Sequence, residues 1–194
     1  VLRGPLEDGI VTISRVNGSF TYPCEFMFVS SMNPCPCGFY GSADKECTCT
    51  PQAISKYMGK ISGPLLDRID IQIEVSPVKY EKLGNDEMPE SSDTIKKRVN
   101  DARKIQIKRY KQENIYSNSS LTPKLISKYC KLDSEGKEIL QTAFEKMGLS
   151  ARAYGRILKV ARTIADLDNC ENIQKIHIAE AIQYRSLDKK YWKN

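Results

Sequence analysis

No stretch of about 18 consecutive apolar residues occurs in this chain, so nothing in it reads as a membrane-spanning helix. The opening residues, Val1-Leu2-Arg3-Gly4-Pro5, lack the basic-then-apolar order of a secretory signal. Together these absences predict a cytoplasmic protein with no membrane partner. The glycine-rich G-x-x-x-x-G-K-[ST] loop, which cradles nucleotide phosphates, is also missing. Histidine is reduced to His177, at an expected helix start, where a structural role outweighs a catalytic one. What is present is an ordinary globular composition. With 40% hydrophobic and 28% charged residues over 194 positions, the chain can bury a core in one or two domains.

Cysteine departs from this plainness. Four of the seven cysteines, Cys35, Cys37, Cys47 and Cys49, fall in a C-x-C-x9-C-x-C pattern. In a cytosolic setting such a cluster reads as metal-binding. Gly38, Gly41 and Ser42 make the span between the pairs pliable, and four thiolates at about 2.3 Å would close it around one ion with no position left for catalysis. The expectation is a structural zinc site. The one-residue gaps are tighter than the usual two to four, and free thiols or two disulfides are the rival readings. Cys24, Cys130 and Cys170 are scattered and read as core residues.

Charge is concentrated as well. Residues 94–112 hold eight lysines and arginines against the single acid Asp101, which accounts for more than the whole chain's net +6. A local basic stripe of this kind is a phosphate-binding footprint or an ordinary solvated helix face, with equal weight. Within it, Lys96, Lys97, Arg103 and Lys104 are the candidate nucleic-acid contacts.

In chain order, residues 2–8 read as a helix end broken at Gly4-Pro5. Residues 10–22 alternate around Asn17-Gly18 and predict a β-hairpin with Arg15 beside its tip. The apolar run at 26–30 predicts a buried central strand ending at Asn33, and the alternation Ile69, Ile71, Ile73, Val75 a second strand. Thr50-Pro51 opens a helix reaching about Lys60. The polar segment 79–92, with Gly84, Asn85, Pro89 and Ser91, reads as an interdomain linker. Beyond it the 3.6-residue pattern predicts helices near 93–112, from Thr122, from Asp133 to Gly148, over 151–167 and from His177. The fold class is therefore α/β followed by all-α.

Four long motifs, LRGPLEDGIVTISR, FVSSMNPCPCG, SGPLLDRIDI and LSARAYGRILKVARTIADL, resemble the magnesium-chelatase-like AAA+ ATPases of the ComM/YifB type, over nearly the whole chain. The resemblance implies the carboxyl-terminal part of a larger ATPase: residues 1–78 complete an AAA+ α/β domain, 79–92 link, and 93–194 form its helical lid. It implies Asn33 as the sensor-1 amide that orients the attacking water. It implies Arg68 as an arginine finger acting on a neighbouring subunit's ATP, and Arg152 as the sensor-2 arginine that contacts the nucleotide. Each has a plainer alternative: a turn cap, an ion pair, a surface charge. ATP and Mg²⁺ would be held by the Walker segments absent from these residues, leaving this stretch alone inactive. The implied assembly is a hexameric ring acting on DNA. The alternatives are a chelatase-type motor that drives metal insertion through a partner protein, or a motor linked to a Lon-like protease segment.

Overall fold

A computed structural model describes residues 2–76 and 89–185. Contacts divide the described chain between Ile69 and Asp70 into two compact units.

The first unit begins with α1 (Arg3–Asp8), which runs through Gly4-Pro5 instead of breaking there. Proline is tolerated in a first turn, where its missing N–H has no intrahelical acceptor. Strands β1 (Ile10–Arg15) and β2 (Gly18–Pro23) then form the expected antiparallel hairpin. The register pairs Arg15 with Gly18, so the two-residue loop is Val16-Asn17, one position earlier than Asn17-Gly18. Gly18 sits at φ +142°, a conformation a side chain would resist. One face carries the pairs Val11/Tyr22 and Ile13/Phe20, and the other a hydroxyl ladder, Thr12 to Thr21 at 3.1 Å and Ser14 to Ser19 at 2.8 Å. Two short helices follow the cysteine loop, α2 (Pro51–Met58) and α3 (Gly63–Leu66). Thr50 caps α2 by accepting the Ala53 N–H at 3.2 Å, as its sequence predicts.

The two expected strands at 26–30 and 69–75 are not strands. The only sheet among the described residues is β1-β2. A strand exists through its hydrogen-bonded ladder, and neither run forms one with another strand among the described residues. Their side chains show it: Met27 is 86% exposed, Val29 80% and Val75 82%. Among the described residues, the α/β character is thus a hairpin with three short helices.

The second unit is helical. After α4 (Ser92–Arg109) and a 3₁₀ turn (Asn118–Ser120) come α5 (Pro123–Tyr129), α6 (Ser134–Met147), α7 (Ala151–Leu167) and α8 (Lys175–Gln183). Their starts follow side-chain chemistry: Ser91, Thr122, Asp133 and Ser150 each accept an N–H from the first turn. Helix α7 is the spine. Ala153, Ile157, Ala161, Ile164 and Ala165 recur at helical spacing and are buried, joined by Leu140, Ile173 and Ile178 from α6, the following loop and α8. Full burial of a side chain such as Ile157 contributes about 2–3 kcal/mol. Residues 70–76 go with the helices, through Gln72 N–H to the Tyr184 carbonyl at 2.8 Å and Asp70 to Arg156 at 2.5 Å. Of the expected linker, residues 79–88 lie outside the described residues.

Candidate functional site

The cysteine loop turns back on itself through backbone geometry. Gly38 (φ +85°) lets its N–H reach the Cys35 carbonyl at 3.1 Å, and the Ser42 N–H reaches the Phe39 carbonyl at 3.0 Å. These turns bring the pairs together: the sulfurs of Cys35, Cys37, Cys47 and Cys49 all lie within 4.8 Å of one another. Sγ–Sγ distances are 3.3 Å for Cys35–Cys37, 3.5 Å for Cys37–Cys47 and 3.7 Å for Cys35–Cys47. A tetrahedron of sulfurs about 2.3 Å from a central ion has edges of ~3.8 Å, whereas a disulfide needs about 2.05 Å. All four are free thiols spaced as ligands.

Their acidities diverge. The backbone N–H of Phe39 leads in bringing Cys37 down to about 5. Burial and Cys37 act to raise Cys35, but the Tyr40 and Gly38 amides, with Cys47, outweigh them and it too is lowered. For Cys47 the Cys49 amide lowers, while burial and the sulfurs of Cys37 and Cys35 prevail and push it up to about 12. Cys49 is raised likewise, with the Cys37 amide opposing burial and its sulfur neighbours. Four sulfurs at these spacings are a donor set fit for a thiophilic divalent ion.

Asn33, two residues before this cluster, is exposed, and its amide lies 3.9 Å from where a Cβ on Gly38 would stand. Arg68, following α3, is only 10% exposed. It pairs with neither of the nearby acids, Asp67 and Asp70. Its Nη2 donates to Glu7 of α1, and its Nη1 to the Pro64 carbonyl at 2.6 Å. Glu7 carries no sequence signal beyond its place in LRGPLEDG.

In the helical unit, Arg152 is exposed in the first turn of α7. The basic stripe is sorted by α4. Lys96, Lys97, Arg103, Lys104 and Lys108 are all exposed and, at 100° per residue, fall within about 140° of arc along ~18 Å of helix. On the far side Ala102, Gln106 and Tyr110 are buried. Two other arginines leave the stripe: Arg98 forks onto Glu90 at 2.8 and 3.2 Å, and Arg109 onto Asp166 at 3.0 and 2.5 Å. Ile95 and Val99 are 42% and 44% exposed, because the first turns of α4 extend past the core. Arg162 is 2% exposed and bonds Asp166, Cys170 O and Glu171 O. Its pairing with Asp166 at i, i+4 was the available signal.

These motifs and the two-unit arrangement meet a family pattern. Residues 1–83 match the sequence model described as magnesium chelatase, subunit ChlI, and residues 89–185 match its ChlI C-terminal model. The chain belongs to the magnesium chelatase family, of the ComM/YifB type. It is 41% identical over 189 residues to the uncharacterized protein YifB of Escherichia coli, covering 97% of this chain and 36% of that protein. It is 42% identical over 187 residues to the competence protein ComM of Haemophilus influenzae, covering 96% and 36%. An uncharacterized protein of Mycobacterium tuberculosis is 32% identical over 185 residues, covering 95% and 36%. The chain therefore spans about a third of the length of these relatives. No described helix is long and apolar enough to cross a membrane.

Proposed function

We propose that the full-length protein is an AAA+ ATPase working as a hexameric ring on DNA in the cytoplasm, and that this stretch supplies parts of its hydrolytic and DNA-contacting surfaces. Hydrolysis of ATP asks the protein chiefly to position water and neutralise phosphate charge. In this reading Asn33 orients the water, Arg68 reaches a neighbouring copy's γ-phosphate, and Arg152 contacts the nucleotide from the helical lid. ATP and Mg²⁺ would be bound by segments outside these residues, so the stretch alone is inactive. Cys35, Cys37, Cys47 and Cys49 hold one Zn²⁺ that closes the loop behind Asn33, which fits their edge lengths.

The observation that carries the DNA reading is the exposed cationic face of α4: Lys96, Lys97, Arg103, Lys104 and Lys108 on one side, of which Lys104 pairs with the exposed Asp101, while the arginines of the other side are held by Glu90 and Asp166. Arg15, exposed beside the hairpin tip, has no carboxylate partner among the described residues and adds a second contact. That a relative bears the name competence protein agrees with this direction. The test is ATP turnover of the full-length protein with and without DNA. Stimulation of several-fold is expected, and none under conditions where rings form would reject DNA as the partner.

A second reading, a motor that drives metal insertion through a partner protein, is favoured by the family models' own description. It predicts turnover indifferent to DNA.

A further inference from the structure

Arg68 and Arg162 are both arginines with little exposure, yet they are satisfied differently. Arg162, 2% exposed, spends all three nitrogens: Nε on Asp166 at 3.2 Å, Nη1 on the Glu171 carbonyl and Nη2 on the Cys170 carbonyl, both at 2.7 Å. That is a saturated structural cation. Arg68, 10% exposed, spends two, Nη2 on Glu7 and Nη1 on the Pro64 carbonyl at 2.6 Å. Its Nε is buried with no acceptor among the described residues. The Arg68 charge is compensated while its fork is left incomplete.

The acid that compensates it sits in a different setting. The Glu7 side chain is 38% exposed at the end of α1, so water can solvate its carboxylate once the pair opens. Arg68 has no such outlet. A cation this buried needs another anion to leave Glu7, and a planar fork with an unused Nε–H suits an oxyanion that accepts two bonds side by side. We propose that Glu7 is the resting partner of Arg68: a positioning residue that parks the guanidinium inside its own chain until a phosphate of the nucleotide on a second copy displaces it. The proposal rests on the trans-finger reading of Arg68 above and adds what that reading lacks, a reason for the finger to stay withdrawn. Since an equilibrium moves only by differential affinity, weakening the parked state shifts Arg68 toward the phosphate.

The experiment uses full-length protein with Glu7→Gln, Arg68→Ala and the double variant, at saturating ATP and without DNA. Glu7→Gln is expected to raise turnover about 3- to 10-fold and to tighten binding of ADP with aluminium fluoride, a mimic of the transferring phosphoryl group, by a similar factor. Both gains should vanish in the Arg68→Ala background. Glu7→Asp keeps the charge but draws it back one methylene, so a smaller rise is expected; it serves also if Glu7→Gln fails to assemble. Unchanged or lower turnover in assembled Glu7→Gln and Glu7→Asp rings, with Arg68→Ala inactive, overturns the proposal and leaves the finger standing. Full turnover in Arg68→Ala overturns the finger reading itself.

Discussion

Arg109 at the end of α4 and Asp166 near the end of α7 meet as a bidentate pair, 3.0 and 2.5 Å, across 57 positions of sequence. Asp166 has no exposed side-chain surface and also accepts from Arg162 at 3.2 Å and from the Asn118 amide at 2.9 Å. Asn118 in turn accepts the Tyr110 hydroxyl at 2.6 Å and donates to Thr163 at 2.9 Å. One carboxylate thus fastens α4 and the 3₁₀ turn to α7.

The first prediction follows from that burial. Asp166→Ala leaves two guanidinium groups without their anion and an amide without one of its acceptors. Loss of one partner from a buried ion pair costs about 3–5 kcal/mol. Denaturant unfolding should show a drop of that size, whereas Asp101→Ala, whose pair with Lys104 is solvent-exposed at 54% and 77%, should stay within about 0.5 kcal/mol. Equal effects would mean that Asp166 is not the tie.

The second prediction concerns the cysteine loop. Freshly purified, unchelated protein should carry one zinc ion per chain, and Cys37→Ser should lose it while the helices stay folded. The sign of the pH dependence comes from the divergent thiols. Cys35 and Cys37 are held low, Cys37 near 5, while Cys47 and Cys49 are held high, Cys47 near 12. Binding as four thiolates must then expel fewer than four protons, chiefly from the thiols held high, so apparent affinity should rise with pH near neutrality and fall as pH drops. Calorimetry in buffers of different ionisation heat counts the protons, and a count near four would mean the amides around Phe39 do not hold thiolates.

What the sequence made legible divides along local and non-local physics. Caps and turns are local, and Thr50, Thr122, Asp133 and Ser150 were readable because each needs only its own next three residues. The cysteine cluster was legible for the same reason: its fifteen positions close on themselves. The hairpin strands were legible through their own turn, but the state of the runs at 26–30 and 69–75 was not, since a ladder requires a partner no short window reveals. Nor was the Glu7–Arg68 pair, whose members stand 61 positions apart with no pattern linking them. Nor was the burial of Arg162, because periodicity weighs side chains as polar or apolar and takes no account of a carboxylate one turn on.

The third prediction tests the cationic face of α4. Each phosphate neutralised on a duplex contributes about 0.9 to the slope of log affinity against log salt, and about 0.7 on a single strand. Lys96→Ala with Lys97→Ala should flatten the slope for duplex DNA by about two units and weaken binding alike across sequences. Neutralising Arg98, already forked onto Glu90, should change it far less. Equal slopes for wild type and the double lysine variant would return this helix to a merely solvated face.

The fourth prediction tests whether Arg68 serves another copy's nucleotide. In the full-length protein Arg68→Ala should bind ATP nearly as before, because a finger acts on the transition state more than on the bound nucleotide, while hydrolysis falls by roughly 10³-fold or more. Arg68→Lys should recover little, as an ammonium cannot span two phosphate oxygens with a planar fork. Were Arg68 only the partner of Glu7, the outcome would differ: a lower melting temperature, with turnover per folded molecule unchanged. Mixing separates the two accounts further. Arg68→Ala subunits combined with subunits lacking the phosphate-loop lysine can form interfaces in which an intact arginine faces an intact ATP site, so activity should partly return. If mixed rings form and no mixture exceeds either variant alone, Arg68 does not act across the interface.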